Sequence, residues 1–442
     1  MNKQIVAIII LTFLIPSCNG LKPLNDQNPI FGEKKIDKKK KEVVNSKKIK
    51  LFKSEEIRNT EFNSTLQINL ENSFINSKRI INLDNNVGRY DYDGELIKKS
   101  NYKFSKIKNF NQNEPKLIFV EKDLIFFDKK GSLIRFNESK EKKWVSNNYT
   151  KNEIKSKPFL FFEKSENSLL VTDNIANYYA LNIENGDLLW TKNNSSPFNS
   201  EIKVYKNKFY AVDLENAIHC FSVDDGKEIW SYKTEDFFVK SPKKLSIVIE
   251  NNVVYFSNSI GDITAINSEN GSLIWQHPTQ NNQIYGNSFL LKNSELVISQ
   301  KSIYFSNNNN EFYSINKNNG ILNWKQKINS SIKPVIIGNA IITVTKNGFL
   351  NILDKVSGNI VRSTDIFDLF KEKKRPQIDP VGFIVGSKKI YLTTTNGRLL
   401  IIDIKTGKSE NFLKITGEKI SKPFINKNKL FIIKDDSIIR FD

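Results

Sequence analysis

Cysteine and histidine are almost missing from this 442-residue chain: Cys18, Cys220, His219 and His277 are all it has. Two cysteines allow one disulfide at most, and none if Cys18 is spent elsewhere. Cys220 then stands alone in the stretch 217–221 and reads as a small buried hydrophobe. No vicinal cysteines exist, His219 and His277 stand alone, and nothing marks a calcium cluster. Proline (12) and glycine (19) are scarce for a chain with so many turns, because asparagine replaces them, as at Asn307 to Asn310. The net charge is +19, so acidic residues are in deficit, which raises the question of nucleic acid. Lys, Asn and Ile are inflated together and the basic residues form no recognisable nucleic-acid motif. The surplus therefore reads as a solvated basic surface, with no nucleic-acid partner.

One phrase recurs. Its clearest copy runs from Gly261 to Trp275: a strand, the turn Asn267 to Gly271, and a second strand that carries the Trp. Equivalent copies end at Trp190, Trp230 and Trp324, each with a Gly four residues earlier. The copy at Trp144 has Lys140 in the Gly place. Two others keep Gly358 and Gly407 but carry Arg362 and Asn411 in the Trp place. The marks at 144, 190, 230, 275, 324, 362 and 411 lie 38 to 49 residues apart. Short strands repeating at that period indicate a β-propeller. Ile263 and Ile266 are not two apart, so the alternation slips beside the turn, as at a bulge or a strand buried on both faces. A Trp buries about 150–250 Å², worth roughly 4–6 kcal/mol at ~25 cal/mol/Å². A single blade cannot bury such a ring, so Trp144, Trp190, Trp230, Trp275 and Trp324 read as staples between units.

The chain stops where the turn and last strand of an eighth unit should follow: 435–442 aligns with 396–403. Seven marked units and this truncated one predict eight blades, with seven as the alternative count. The missing strand is expected from Leu66 to Leu70 or from Ile80 to Leu83, which would join both chain ends and remove the open edge. Several units open on a Lys or Ser followed by Pro: Lys157-Pro158, Ser241-Pro242, Lys333-Pro334 and Lys422-Pro423. Two insertions interrupt the rhythm, Gln276 to Ser288 and Ile366 to Pro376, the second with the look of a helical turn.

Ahead of the propeller, Lys3 and the apolar run Ile5 to Ile15 form a segment too short and too early for an ordinary span. It ends Leu14-Ile15-Pro16-Ser17-Cys18, which resembles a bacterial lipobox. That implies a signal peptide over 1–17 and lipid on Cys18, whose several acyl chains would hold the chain on a membrane. A plain secretory signal or an uncleaved anchor is the other reading. Residues 18–62 read as a disordered, Lys-rich tether, a solvated spacer or a strip lying on anionic headgroups. The propeller is assigned to 63–442.

The repeat, (Ala/Ser)-(Leu/Ile)-(Asp/Asn)-x-x-x-Gly-x-x-x-Trp, resembles that of quinoprotein-type propellers with PQQ-like repeats. The dehydrogenase branch would hold pyrroloquinoline quinone and calcium in the central funnel, using adjacent cysteines, a stacking Trp and carboxylates. This sequence lacks the vicinal cysteines, so no cofactor and no enzymatic activity are expected. With the lipobox, the eight units, the stop at Asp442 and the insertion before the last full blade, it is more similar to the BamB family of outer-membrane assembly lipoproteins. That resemblance implies a non-catalytic, periplasm-facing scaffold on the outer membrane, a monomer within a hetero-complex. It would bind the barrel-forming subunit through interblade loops. The matching loop is 234–242, where Phe237 stands near the Arg of the family pattern and Ser241-Pro242 is kept. The acidic stretch of the next insertion is replaced by Gln283 to Ser288. Phe237, Phe238, Lys240 and Asn287 are the expected partner contacts, with Phe237 and Phe238 as apolar anchors; packing of these rings into a blade is the bland alternative. An envelope propeller for polysaccharide or peptidoglycan is the competing function, and a quinoprotein oxidoreductase the third.

Overall fold

The computed structural model describes residues 60–70, 87–97, 99–108, 110–112, 114–235, 240–241, 243–279 and 291–442. Their strands form eight four-stranded antiparallel sheets. In chain order these are blades 1 (118–146), 2 (160–193), 3 (203–233), 4 (247–277), 5 (297–326), 6 (335–365) and 7 (380–414). Blade 8 takes three strands from 424–441 and one from the N-terminal side. First strands of neighbouring blades touch one another, so they line the axis, while the last strand of each blade is the exposed rim.

The closing strand corrects the sequence expectation. It is Lys99–Lys103, paired with Ser437–Phe441 in the register Asn101↔Ile439, and not Leu66 to Leu70. Ile80 to Leu83 lies outside the described residues. Leu66 is exposed, while the backbone N–H of Ile68 donates to Lys405 O at 3.1 Å beside blade 7. Phe62 exchanges both backbone hydrogen bonds with Ser363, so this segment lies against the rim of blade 6. The reason lies in side-chain supply. Lys-Ser-Asn-Tyr-Lys shows one apolar residue, yet one suffices, because Tyr102 is buried against Phe136 and accepts from Arg440.

The repeated phrase has a physical cause that crosses the blade boundary. Each Trp Nε1–H donates to a backbone carbonyl in the turn of the following blade: Trp144 to Ile183, Trp190 to Val223, Trp230 to Ser268, Trp275 to Lys317 and Trp324 to Lys355, all at 3.0–3.2 Å. Three residues beyond each acceptor stands the glycine of that next turn. A Cβ on any of these five glycines would lie 2.4–2.8 Å from the Trp ring, and their φ of +67° to +78° disfavours a side chain anyway. Gly and Trp of one copy therefore serve two different interfaces. This explains the exceptions. Blade 8 offers no Trp to blade 1; Arg440 reaches the Glu138 carbonyl instead, and Lys140 is tolerated in the Gly place despite φ +73°. Blade 6 offers Arg362, fully buried, which donates to Lys405 O beside Gly407 and also to the carbonyls of Ser64 and Leu66. One guanidinium thus replaces an indole and ties down the segment around residue 65. Arg362→Ala is expected to lose about 2–4 kcal/mol, from carbonyls left unpaired in a new cavity. It should also speed protease cleavage near Ser64; unchanged melting and cleavage would refute this role.

The slip seen at Ile263 and Ile266 is a bulge: the register shifts between Ala265 and Ile266, opposite Trp275. Equivalent shifts occur in blades 1, 2, 3, 5, 6 and 7. The bulge turns the Trp toward the next blade. In the insertion before blade 7, Ile366 and Phe367 are core residues, and the helical turn is a 3-10 segment, Glu372–Gln377.

Candidate functional site

Charged residues at the start of the first strands converge on the axis. Lys244 of blade 4 pairs with Glu201 of blade 3 and, at 3.3 Å, with Glu295 of blade 5. Lys333 of blade 6 reaches Glu295 at 3.2 Å, and Lys422 of blade 8 reaches it at 3.7 Å. Lys203 adds a contact to Glu201 at 3.3 Å, and Lys116 pairs with Glu163. Gly382 of blade 7 makes room, since a Cβ there would lie 2.6 Å from Lys422 Cβ. Burial alone would raise the carboxyl groups of Glu201 and Glu295. The surrounding ammonium groups outweigh it and hold both well below the usual carboxylate range. Five lysines face three glutamates, so the axis is a closed, positively biased ion cluster. Two of the Lys-Pro openings, Lys333-Pro334 and Lys422-Pro423, were its trace in the sequence, legible as strand starts but not as charges that meet.

The histidines divide. His277 packs edge-on to Tyr313, and burial lowers its pKa. His219 is not alone, contrary to the sequence reading: Nε2 lies 3.0 Å from Asp213 and Nδ1 2.8 Å from Glu228. Burial works against its charge, but the two carboxylates prevail and its pKa is raised above 6.5. A group with a raised folded pKa stabilises fully below the unfolded value and loses that contribution as pH climbs through the folded one. The stability advantage of the native protein over His219→Gln should therefore be greatest near pH 6 and shrink toward alkaline pH; an advantage independent of pH would contradict the bridge. Cys220, next in sequence, is fully buried, and burial pushes its thiol up to about 12, as the buried-hydrophobe reading expects.

Lys240 and Ser241 lie just before the first strand of blade 4. Lys240 is half-buried there, its Nζ 3.6 Å from Glu215 of the blade 3 turn. Ser241 Oγ donates to Lys243 O at 2.8 Å and so shapes the entry to blade 4. Phe237, Phe238 and Asn287 lie outside the described residues, as does Cys18. The five repeat Trp residues stand between blades. No described helix is long and apolar enough to cross a membrane, and no three described His, Cys, Asp or Glu side chains group so as to hold a metal.

These features define an eight-bladed propeller of PQQ-like repeats. The family model described as "Outer membrane protein assembly factor BamB" matches residues 129–364, and the chain belongs to that family. BamB of Escherichia coli K12 is 32% identical over 75 residues, 16% of this chain and 19% of that protein, so the aligned stretch spans about a fifth of the curated relative. The BamB structure from Moraxella catarrhalis superposes with a TM-score of 0.61 at 13% identity, covering 78% of this chain and all of that one. Quinohemoprotein alcohol dehydrogenase from Comamonas testosteroni superposes at 0.58 and 11% identity, covering 81% and 78%. These two structural likenesses establish the shared ring alone. A quinone, as the dehydrogenase resemblance would imply, does not fit the residues on this axis: the polar groups there are engaged with one another, and Lys422 and Glu295 meet from blades 8 and 5.

Proposed function

We propose that this protein is a non-catalytic scaffold of the outer-membrane β-barrel assembly machinery. It is anchored by lipid on Cys18, faces the periplasm, and binds the barrel-forming subunit through the loops joining blades 3–4 and 4–5. Residues 1–17 serve as signal peptide, 18–62 as tether and 63–442 as propeller. The observation that carries the reading is the family match over 129–364 in a ring whose axis is occupied by ion pairs. Phe237 and Phe238 supply apolar anchors and Lys240 a flanking charge, with Asn287 on the second loop. Affinity isolation of the lipidated protein from envelopes, followed by mass spectrometry, tests it. The barrel-assembly subunits should follow the bait. Cell-wall polymer or an unrelated complex in their place would remove the assigned role.

A further inference from the structure

Each blade has one outer strand whose far edge pairs with no other strand of the ring, and an open edge is a template for another chain. Lysine on such a strand discourages pairing. Lys142, Lys192, Lys233, Lys325, Lys414 and Lys99 stand exposed on the outer strands of blades 1, 2, 3, 5, 7 and 8. Two outer strands lack lysine. Ile360–Asp365 of blade 6 has one basic residue, Arg362, and its side chain is buried. Leu273–His277 of blade 4 has none.

The blade 6 edge is covered by the chain itself. Ser363 and Phe62 exchange backbone hydrogen bonds at 2.9 and 3.0 Å, and the Val361 carbonyl accepts from Asn63 Nδ2 at 3.1 Å. Both backbone polar groups of Ser363 therefore point away from their own blade. Gln276 holds the same place in blade 4. It follows Trp275 as Ser363 follows Arg362, and it lies opposite Thr264 as Ser363 lies opposite Asn351. The register shift comes one pair later in both ladders. The N–H and C=O of Gln276 hence also face outward, and Ile274, the counterpart of Val361, adds an outward carbonyl. Among the described residues no backbone group pairs with this edge. Gln276 is exposed, and Leu273 and Ile274 beside it are 48% and 46% exposed. Pro278 has no N–H and ends the ladder.

We infer that the outer edge of blade 4 takes an added strand from the sheet of a protein partner. The partner's strand exchanges two backbone hydrogen bonds with Gln276, donates to the Ile274 carbonyl and lays an apolar side chain on Leu273 and Ile274. Phe62 on Ser363 is the pattern for it within this chain. The edge strand of a folded sheet fits better than a disordered segment, because three hydrogen bonds at an exposed edge do not offset the ordering of a flexible chain. The edge runs directly into the blade 4–5 connection, so the inference rests on the partner reading given above and names the element bound.

The test uses the full chain and a backbone-cyclised β-hairpin peptide with a Val/Thr outer strand, beside a counterpart N-methylated at its outward amides, with affinities by calorimetry. The N-methylated form should bind at least about tenfold more weakly. Gln276→Pro removes the outward N–H and spares the bonds to the neighbouring strand of its blade. Gln276→Lys gives blade 4 the lysine that blade 5 carries at this position, Lys325, so the ring should melt as the native protein does. Each should weaken the hairpin by about tenfold or more. Equal binding of the two peptides, no binding of either, or unchanged affinity in Gln276→Lys would overturn the inference. The same variants titrated with the barrel-forming subunit's periplasmic domains separate the two claims. Undiminished binding to those domains overturns the inference and leaves the scaffold reading standing. Hairpin binding that the variants weaken, without any affinity for those domains, keeps the edge and removes the scaffold partner.

Discussion

Glu295→Ala is expected to lower the unfolding free energy by about 3–5 kcal/mol, the usual cost of leaving buried charges without their counter-charge. Glu295 is the carboxylate that three lysines share, Lys244, Lys333 and Lys422, from blades 4, 6 and 8. Its removal leaves Glu201 as the carboxylate that still acts on Lys244 and Lys422. Replacing the set with apolar residues of similar volume would be far milder, since pairing only roughly offsets desolvation. The pH dependence follows from the sign of the shift. A carboxylate held below its ordinary value of 4.5 contributes fully above that value and is lost only as pH falls through the depressed one. The cluster should therefore survive acidification to about pH 4.5. Denaturant titration of the variant at neutral pH checks the magnitude; a loss under about 1 kcal/mol would mean that water already screens the axis.

Gly271→Ala is the second large effect. The new methyl must adopt φ +72° and would sit 2.7 Å from the ring of Trp230. The left-handed backbone costs roughly 1–2 kcal/mol and overpacking another 1–3, for about 2–5 kcal/mol in all. Trp230→Ala removes the ring and its hydrogen bond to Ser268 O, at about 3–5 kcal/mol. The two residues belong to neighbouring blades, so the double variant is diagnostic. With the ring gone the methyl no longer collides, and the pair should fall short of additivity by about 1 kcal/mol or more. Strict additivity would show that the glycine serves its own turn and not the blade interface.

Much of this was legible in the sequence because the repeat enforces it. Trp and Gly recur because an indole needs a flat, side-chain-free neighbour, and such a constraint leaves the same letters in every copy. The bulge was visible in the spacing of Ile263 and Ile266. What stayed hidden depended on meetings between distant residues. Lys99–Lys103 closes the ring with one buried tyrosine, too little apolar pattern to mark a strand. Glu201, Lys244 and Glu295 are ordinary surface letters until closure brings three blades to one axis. His219 meets Asp213 and Glu228 only through strand pairing and the turn before it. Arg362 looked like a lapse in the repeat and is instead the residue that fastens the N-terminal segment to the ring.

The scaffold role is tested most directly by titrating the purified full chain against the purified periplasmic domains of the barrel-forming subunit. Saturable binding is predicted, weakened by about tenfold or more in Phe237→Ala and Phe238→Ala while the melting temperature holds. No binding by the native, folded protein would contradict the account.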